Sequence, residues 1–211
     1  MDNKKLVFFV LLTSVTSISH ADGFFINAGL GETNFYPQFR YSTFRGHSYI
    51  EALRAGYRWN IGALSYGLEA GYANLGHSYF WTAHNSGSDQ YGERIDGPIL
   101  GGNLKYSLPY GFFVAMRGGF FRSTDHQFDQ GYYYPSGLLG LGPSSRYTAH
   151  KRPSGTGSYV GAGVGYDFNS SFGVSLNYDR YRAHVVTNYQ EILFSVTPRV
   201  DAYTFTAEYR F

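Results

Sequence analysis

The sequence predicts an all-β protein: an eight-stranded antiparallel up-and-down transmembrane β-barrel over residues 22–211, preceded by a signal peptide at residues 1–21. Three observations carry that prediction. Stretches of about ten residues alternate apolar and polar side chains, as strands do when one face meets lipid and the other a lumen. Tight turns and long polar connections alternate between those stretches. The composition is 43% hydrophobic and only 15% charged, with 27 Gly, 21 Tyr and 18 Phe in 211 residues, too poor in Lys and Glu for a soluble β surface.

The first segment is a targeting signal. Lys4 and Lys5 precede an apolar stretch, Leu6 to Ile18, and Ser19 and Ala21 place small residues around a cleavage point. A spanning helix needs roughly 20 apolar residues, and Thr13, Ser14, Thr16 and Ser17 interrupt this one. The mature chain is expected to begin at Asp22 and to leave the cytoplasm.

The strands follow in order. Phe24, Ile26, Ala28 and Leu30 share one face of the first. Leu53, Ala55, Tyr57 and Trp59 share a face of the second, with Arg54 and Arg58 behind them. The turn Asn60 to Ala63 leads into Leu64, Tyr66, Leu68, Ala70 and Tyr72, opposed by Glu69 and by Gly67 and Gly71. Leu100, Leu104, Tyr106 and Leu108 oppose Asn103 and Lys105 in the fourth strand. After Pro109-Tyr110-Gly111, the fifth presents Phe112, Val114, Met116 and Phe120 against Arg117. Val160, Ala162, Val164, Tyr166 and Phe168 define the sixth, and beyond Asn169-Ser170-Ser171 come Phe172, Val174, Leu176 and Tyr178 of the seventh. The eighth is Asp201 to Phe211, with Tyr203, Phe205, Ala207, Tyr209 and Phe211 on the apolar face.

Hydrocarbon offers backbone amides no partner, so such a sheet must close on itself, first strand against last. The tight turns near residues 60, 110 and 170 are expected on the periplasmic side, and the long polar loops near 32–48, 74–97, 122–157 and 182–199 outside. Trp59, Tyr66, Tyr110, Phe112, Phe168, Phe172, Tyr209 and Phe211 gather at the periplasmic strand ends, where aromatic rings suit the headgroup layer.

Facing inward are then Arg54, Arg58, Glu69, Lys105, Arg117, Asp179, Glu208 and Arg210. An eight-stranded lumen is nearly filled by side chains, so these residues are expected to form a packed polar core of paired charges rather than a wide channel. If Trp59 pairs with Leu64 across the turn, Arg54 falls opposite Glu69, Tyr57 opposite Tyr66 and Leu53 opposite Ala70.

Several functional classes fall away. The formal net charge is +2 with basic residues scattered, so nucleic acid is not an expected partner. Without cysteine there is no disulfide framework, thiolate metal site or cysteine nucleophile. His47, His77, His84, His126, His150 and His184 lie in or beside the long loops, but no H-x-x-x-H spacing marks a metal site and no cofactor is implied.

One loop stands out. "GYYYPSGLLGLGPSSRYTAHKR" joins Tyr132, Tyr133 and Tyr134 to Leu138, Leu139 and Leu141 and to Arg146, Lys151 and Arg152. Tyrosine-rich segments make adaptable contact surfaces, and arginine matches phosphate. These residues are candidates for binding a host or environmental molecule, or lipopolysaccharide phosphates; the alternative is that the aromatics extend the barrel wall or cover its mouth.

The signal peptide, the eight strands, the short turns and the terminal "YTFTAEYRF" together resemble the small eight-stranded outer-membrane barrels of Gram-negative bacteria, similar to the transmembrane domain of outer-membrane protein A and to opacity and attachment-invasion proteins. The resemblance implies a bacterial outer-membrane location. Tyr203, Phe205, Tyr209 and Phe211 resemble the terminal aromatic signal read by the outer-membrane assembly machinery. No peptidoglycan-binding domain is expected after Phe211. Barrel enzymes fit less well: Asp22-Gly23 leads straight into strand one with no amphipathic helix, and His47-Ser48 and His77-Ser78 are adjacent, so they point to opposite strand faces. The reading is a monomeric, non-enzymatic outer-membrane barrel whose loops serve envelope integrity, adhesion or ligand binding. A lipid A-modifying enzyme and a narrow pore are the alternatives.

Overall fold

The structure is a computed structural model that describes residues 22–36, 46–84, 87–133, 145–183, 185–189, 192–196 and 198–211. The proposed signal peptide lies outside the described residues. Eleven strands are described: β1 (Gly23–Tyr36), β2 (Gly46–Ile61), β3 (Leu64–His84), β4 (Gly87–Ser107), β5 (Phe112–Tyr133), β6 (Ser145–Lys151), β7 (Ser154–Asp167), β8 (Phe172–Arg182), β9 (Val185–Tyr189), β10 (Ile192–Val196) and β11 (Arg199–Arg210).

Eight of these strands form a closed antiparallel barrel in the order β1-β2-β3-β4-β5-β7-β8-β11, with β11 returning to β1. The closing ladder runs from Phe25↔Arg210 to Tyr36↔Arg199, so no edge within the membrane zone keeps free amides. Side chains sort by parity. Leu30, Leu68, Leu100, Phe120, Leu176 and Phe205 stand exposed on the outer wall, a continuous apolar belt that only lipid can cover. The chain is therefore an outer-membrane β-barrel. Rings interlock at the periplasmic end: Trp59 stacks on Tyr66 at 5.6 Å and Phe168 on Phe172 at 5.7 Å, while Tyr209 meets Phe211 edge-on at 5.0 Å.

Two expectations are corrected. The first concerns the β2–β3 register: Ile61 pairs with Leu64 and Trp59 with Tyr66, so Arg54 opposes Gly71, Tyr57 opposes Leu68 and Leu53 opposes Tyr72. The reversal needs only Gly62 and Ala63. Gly62 has φ of 60° at the first central position while Ala63 does not share the left-handed region, the pattern of a type II′ hairpin. Pairing therefore runs two residues further toward the turn than a four-residue loop allows. Because the slip is an even number, every side chain keeps its face.

The second concerns the long loops. Most of the described residues within them are paired strand: β3 and β4 remain zipped from Asn74↔Asp96 to His84↔Gly87, and β5 continues to Tyr133 with β6 alongside. Hydropathic alternation stops at the membrane boundary because water solvates both faces beyond it, but the backbone ladder continues. The wall is re-aimed there by a bulge between Asn74 and His77, where Gly76 has φ of 90° and Ser48 Oγ accepts a hydrogen bond from the His77 amide at 2.9 Å. β9 and β10 form a separate hairpin.

Candidate functional site

The barrel interior is layered. At its periplasmic end Arg58 donates two hydrogen bonds to Glu208, at 2.7 and 2.9 Å, and Lys105 Nζ lies 2.9 Å from Asp167, which Arg210 also meets at 2.9 Å. The two cations rest on lumen aromatics: the Arg58 guanidinium is 4.0 Å from the Phe25 ring centre and Lys105 Nζ 3.9 Å from that of Phe113.

Hydrogen bonds and ion pairs continue upward from there. Arg58 Nε donates to Asn103 at 2.6 Å, and Asn103 donates to Glu69 at 3.2 Å. Glu69 also accepts from the Tyr159 hydroxyl at 2.8 Å. Arg54 Nη2 donates to the Tyr181 hydroxyl at 2.8 Å and sits 3.8 Å from Asp179, while Arg54 Nε lies 3.9 Å from Glu69. Arg117 grips Asp179 through Nε at 2.7 Å and Nη2 at 2.5 Å. Arg54 and Glu69 thus meet diagonally across β2 and β3, one pair out from the direct opposition the sequence suggested.

Small residues make room for this network. A Cβ on Gly161 would lie 1.9 Å from Asp179 Oδ1, and one on Gly71 would lie 2.2 Å from the Leu53 carbonyl and 3.1 Å from Arg54 Cγ. The space left over is slight, a cavity of about 30 Å³ lined by Asn27, Arg58, Asn103, Lys105, Asn177 and Glu208 among others. That is room for a water or so, not for a substrate.

Above Arg54 the lumen turns apolar. Phe35, Ile50, Ala52, Ala73, Leu75, Ile95, Ile99, Phe121, Val200 and Ala202 are buried together, capped from below by Tyr159 and Tyr181. Phe121 packs edge-on to Tyr181 at 5.3 Å. The lumen is thus layered: the inward charges named from the sequence fill its periplasmic part, and an apolar layer lies above them. The inward charges named from the sequence are all in that network, together with Asn103, placed from the sequence on the inner face of the fourth strand, and with Asp167, Tyr159 and Tyr181, which were not named. Asp167 carried a usable signal, since it has the inner parity of β7 between the outward Tyr166 and Phe168.

Higher still, above the belt, Glu93 and Asp125 approach one another on β4 and β5. Burial first, and then the charge and hydrogen bond of Asp125, push the Glu93 carboxyl up to about 8. Asp125 Oδ2 accepts from Gln127 Nε2 at 2.6 Å. Among the described residues, His126 Nε2 lies 3.1 Å from Asp96 Oδ1 and no cluster of ligating side chains suits a metal ion.

For the surface candidates, β5–β6 pairing sets Tyr132 opposite Arg146 and Tyr133 opposite Ser145, and Lys151 opposite Gln127. Arg146 and Arg152 are exposed. Tyr134, Leu138, Leu139 and Leu141 lie outside the described residues. Tyr203, Phe205, Tyr209 and Phe211 stand on the outer wall.

No protein-family model matches the chain, and no curated protein resembles it in sequence. Solved structures resemble it in fold. Neisserial surface protein A is 10% identical, with 89% of this chain and 97% of that one covered at a TM-score of 0.49. Ail, the attachment invasion locus protein of Yersinia pestis, in complex with the heparin analogue sucrose octasulfate, is 12% identical over 91% and 100% of the two chains, TM-score 0.45. The outer-membrane protease OmpT of Escherichia coli is 10% identical over 94% and 100%, TM-score 0.48.

Proposed function

We propose that this chain is a non-enzymatic surface protein: a barrel closed by its own side chains that anchors extracellular hairpins for adhesion or ligand capture and contributes to envelope integrity. The observation that carries the reading is the interior. Among the described residues, a hydrogen-bonded ionic layer followed by an apolar layer fills the lumen, and the roughly 30 Å³ left free in the polar part is too small for a substrate. What remains for function is the part above the belt, where β3–β4 and β5–β6 continue as paired strands and set Tyr132 and Tyr133 against a ladder ending in basic residues.

The test is replacement of residues 134–144 by a short Gly-Ser link, which leaves the Tyr133↔Ser145 end of the ladder joined. Cells displaying the variant should keep heat-modifiable gel mobility, the mark of a folded barrel, and lose attachment to epithelial monolayers. Unchanged attachment would sink the adhesive reading. Mass spectrometry of lipid A should show no difference between cells with and without the gene; a shifted acyl or phosphate pattern would revive the enzymatic alternative.

The partners in this reading are outer-membrane lipids with lipopolysaccharide, a host or environmental molecule, and the assembly machinery. Tyr203, Phe205, Tyr209 and Phe211 serve as the assembly signal of a monomeric barrel. Deleting Phe211 should slow insertion in cells more than it weakens the finished barrel, and normal assembly of that truncation would remove the assignment.

A further inference from the structure

The outer wall carries a charge pattern that neither the anchor nor the hairpins explain. On β8 and β11 the lipid-facing positions climb in matched pairs: Leu176↔Phe205, then Tyr178↔Tyr203, then Arg180↔Asp201, then Arg182↔Arg199. Leu176 and Phe205 are 63% and 54% exposed and belong to the belt. Tyr178 and Tyr203 touch at 5.2 Å, an aromatic pair at headgroup height. The arginines begin one step above.

Their arrangement is built rather than scattered. Asp201 is 3% exposed and accepts from Arg180 Nε and Arg199 Nε, both at 3.0 Å, and from Arg199 Nη2. Arg180 Nη2 also donates to the Tyr178 hydroxyl at 2.6 Å, and the Arg199 guanidinium lies 5.0 Å from the Tyr36 ring centre. Two forks are thereby held in place by one carboxylate. The exposed side chain of Arg182 has no hydrogen bond or ion pair among the described residues, and the residue stands directly opposite Arg199. Like charges in direct cross-strand opposition are unfavourable. Three guanidinium groups against one carboxylate leave this strip cationic; of the exposed outward carboxylates nearby, Glu32 on the adjoining β1 stands opposite Tyr203, and Glu51 on β2 stands opposite Leu30.

We propose that Arg180, Arg182 and Arg199 form a binding site for the phosphate of an outer-leaflet phosphorylated glycolipid, whose sugar rests on Tyr178 and Tyr203 and whose acyl chains lie along Leu176 and Phe205. Guanidinium forks match phosphate oxygens in a bidentate way that a lysine point charge does not, and the forks are already ordered by Asp201. A third positive group opposite Arg199 is relieved when an anion bridges the two. The partner is a lipid rather than a soluble polyanion because the charges continue an apolar wall on the same strand faces, where a headgroup and its chains are covalently joined.

The experiment places the purified full chain in zwitterionic lipid nanodiscs doped with bis-phosphorylated lipid A or with the same lipid stripped of phosphate, and reads retained lipid by native mass spectrometry. The wild type should retain the phosphorylated form preferentially. Arg182→Gln, which removes a side chain bonded to nothing else described, should lower that retention roughly fivefold, the effect of one basic residue near a charged lipid surface. A triple R180Q/R182Q/R199Q variant should lose the preference. Arg94→Gln, on the outward face of β4, should leave it unchanged. Equal retention of the two lipids, an R94Q loss as large as that of R182Q, or displacement of the lipid by millimolar inorganic phosphate would each overturn the proposal.

Discussion

The lower and upper lumen are lined by the same eight strands yet are stabilised in opposite ways. Below Arg54 the inward side chains are charged, and each carboxylate holds two or more partners: Asp179 meets Arg54 and Arg117, Glu208 meets Arg58 and Lys105, and Asp167 meets Lys105 and Arg210. Above it, Phe35, Ile50, Leu75, Ile95 and Phe121 pack together, with Thr33 donating to the Leu75 carbonyl at 2.9 Å. The lower layer is rigid because its charges cannot separate without leaving one unpaired in a dry place. The upper layer depends on fit, because apolar contacts are directionless and only close packing makes them specific. The contrast shows that closing a small barrel does not require one kind of filling, and the two kinds should fail differently.

The largest expected effect is in the ionic layer. Asp179→Ala strands Arg117 and Arg54 together and should lower unfolding stability by about 3–5 kcal/mol, the usual cost of removing one partner from a buried pair; urea unfolding in lipid vesicles followed by tryptophan fluorescence measures it. Leu75→Ala removes packing from the apolar layer and should cost about 3 kcal/mol. A loss under 1 kcal/mol there would mean that the upper layer is loosely filled.

Glu69→Ala tests whether the network is structural or conductive. It deprives Tyr159 and Asn103 of their acceptor and should cost about 2–3 kcal/mol, with no new current in planar bilayers. A large, ion-selective conductance would turn the interior from a filled core into a gate. A smaller effect, about 1–2 kcal/mol, is expected for Gly62→Ala, since any Cβ is strained in the left-handed region although nothing there obstructs it.

The subtlest prediction concerns pH. The folded-state value for Glu93 is raised above that of the unfolded chain, so the folded hairpin holds a proton that the unfolded one releases. Stability from this pair is therefore full below the ordinary carboxylate range and is lost as pH rises through about 8. Amide exchange at the top of β4 and β5 should quicken between about pH 5 and about pH 8 beyond its intrinsic base dependence, and Glu93→Gln should flatten that excess. An unchanged profile in E93Q would show that the pair does not control the upper hairpin.

Much of this was legible from residue order. The outward faces of all eight membrane strands, the inward position of Arg54, Glu69, Arg117 and Asp179, and the three periplasmic turns follow from a period of two and from Gly, Pro and Asn at reversals. Arg180, Arg182 and Arg199 were not named from the sequence, although they carry lipid-facing parity just past an apolar run. What was not legible lies where the alternation stops being informative. Above the belt both faces meet water, so β3 and β4 look like loop although they stay paired to His84 and Gly87. Inside, Ile50, Ile95 and Phe121 have inner parity but apolar character, and nothing local distinguishes a lumen plug from a slip in phase.

Which face a side chain occupies is a local property of extended backbone, so alternation and composition were enough to establish a closed membrane barrel with an aromatic girdle. Register is not local. It depended on whether Gly62 took a left-handed conformation, and that choice set Arg54 against Gly71 rather than Glu69. The partners within the lumen are likewise set by side chains from strands far apart in the chain, as when Arg54 reaches Tyr181 and Arg58 reaches Glu208. Such meetings exist only once the sheet has curved round and closed, because closure alone brings opposite walls within hydrogen-bonding distance.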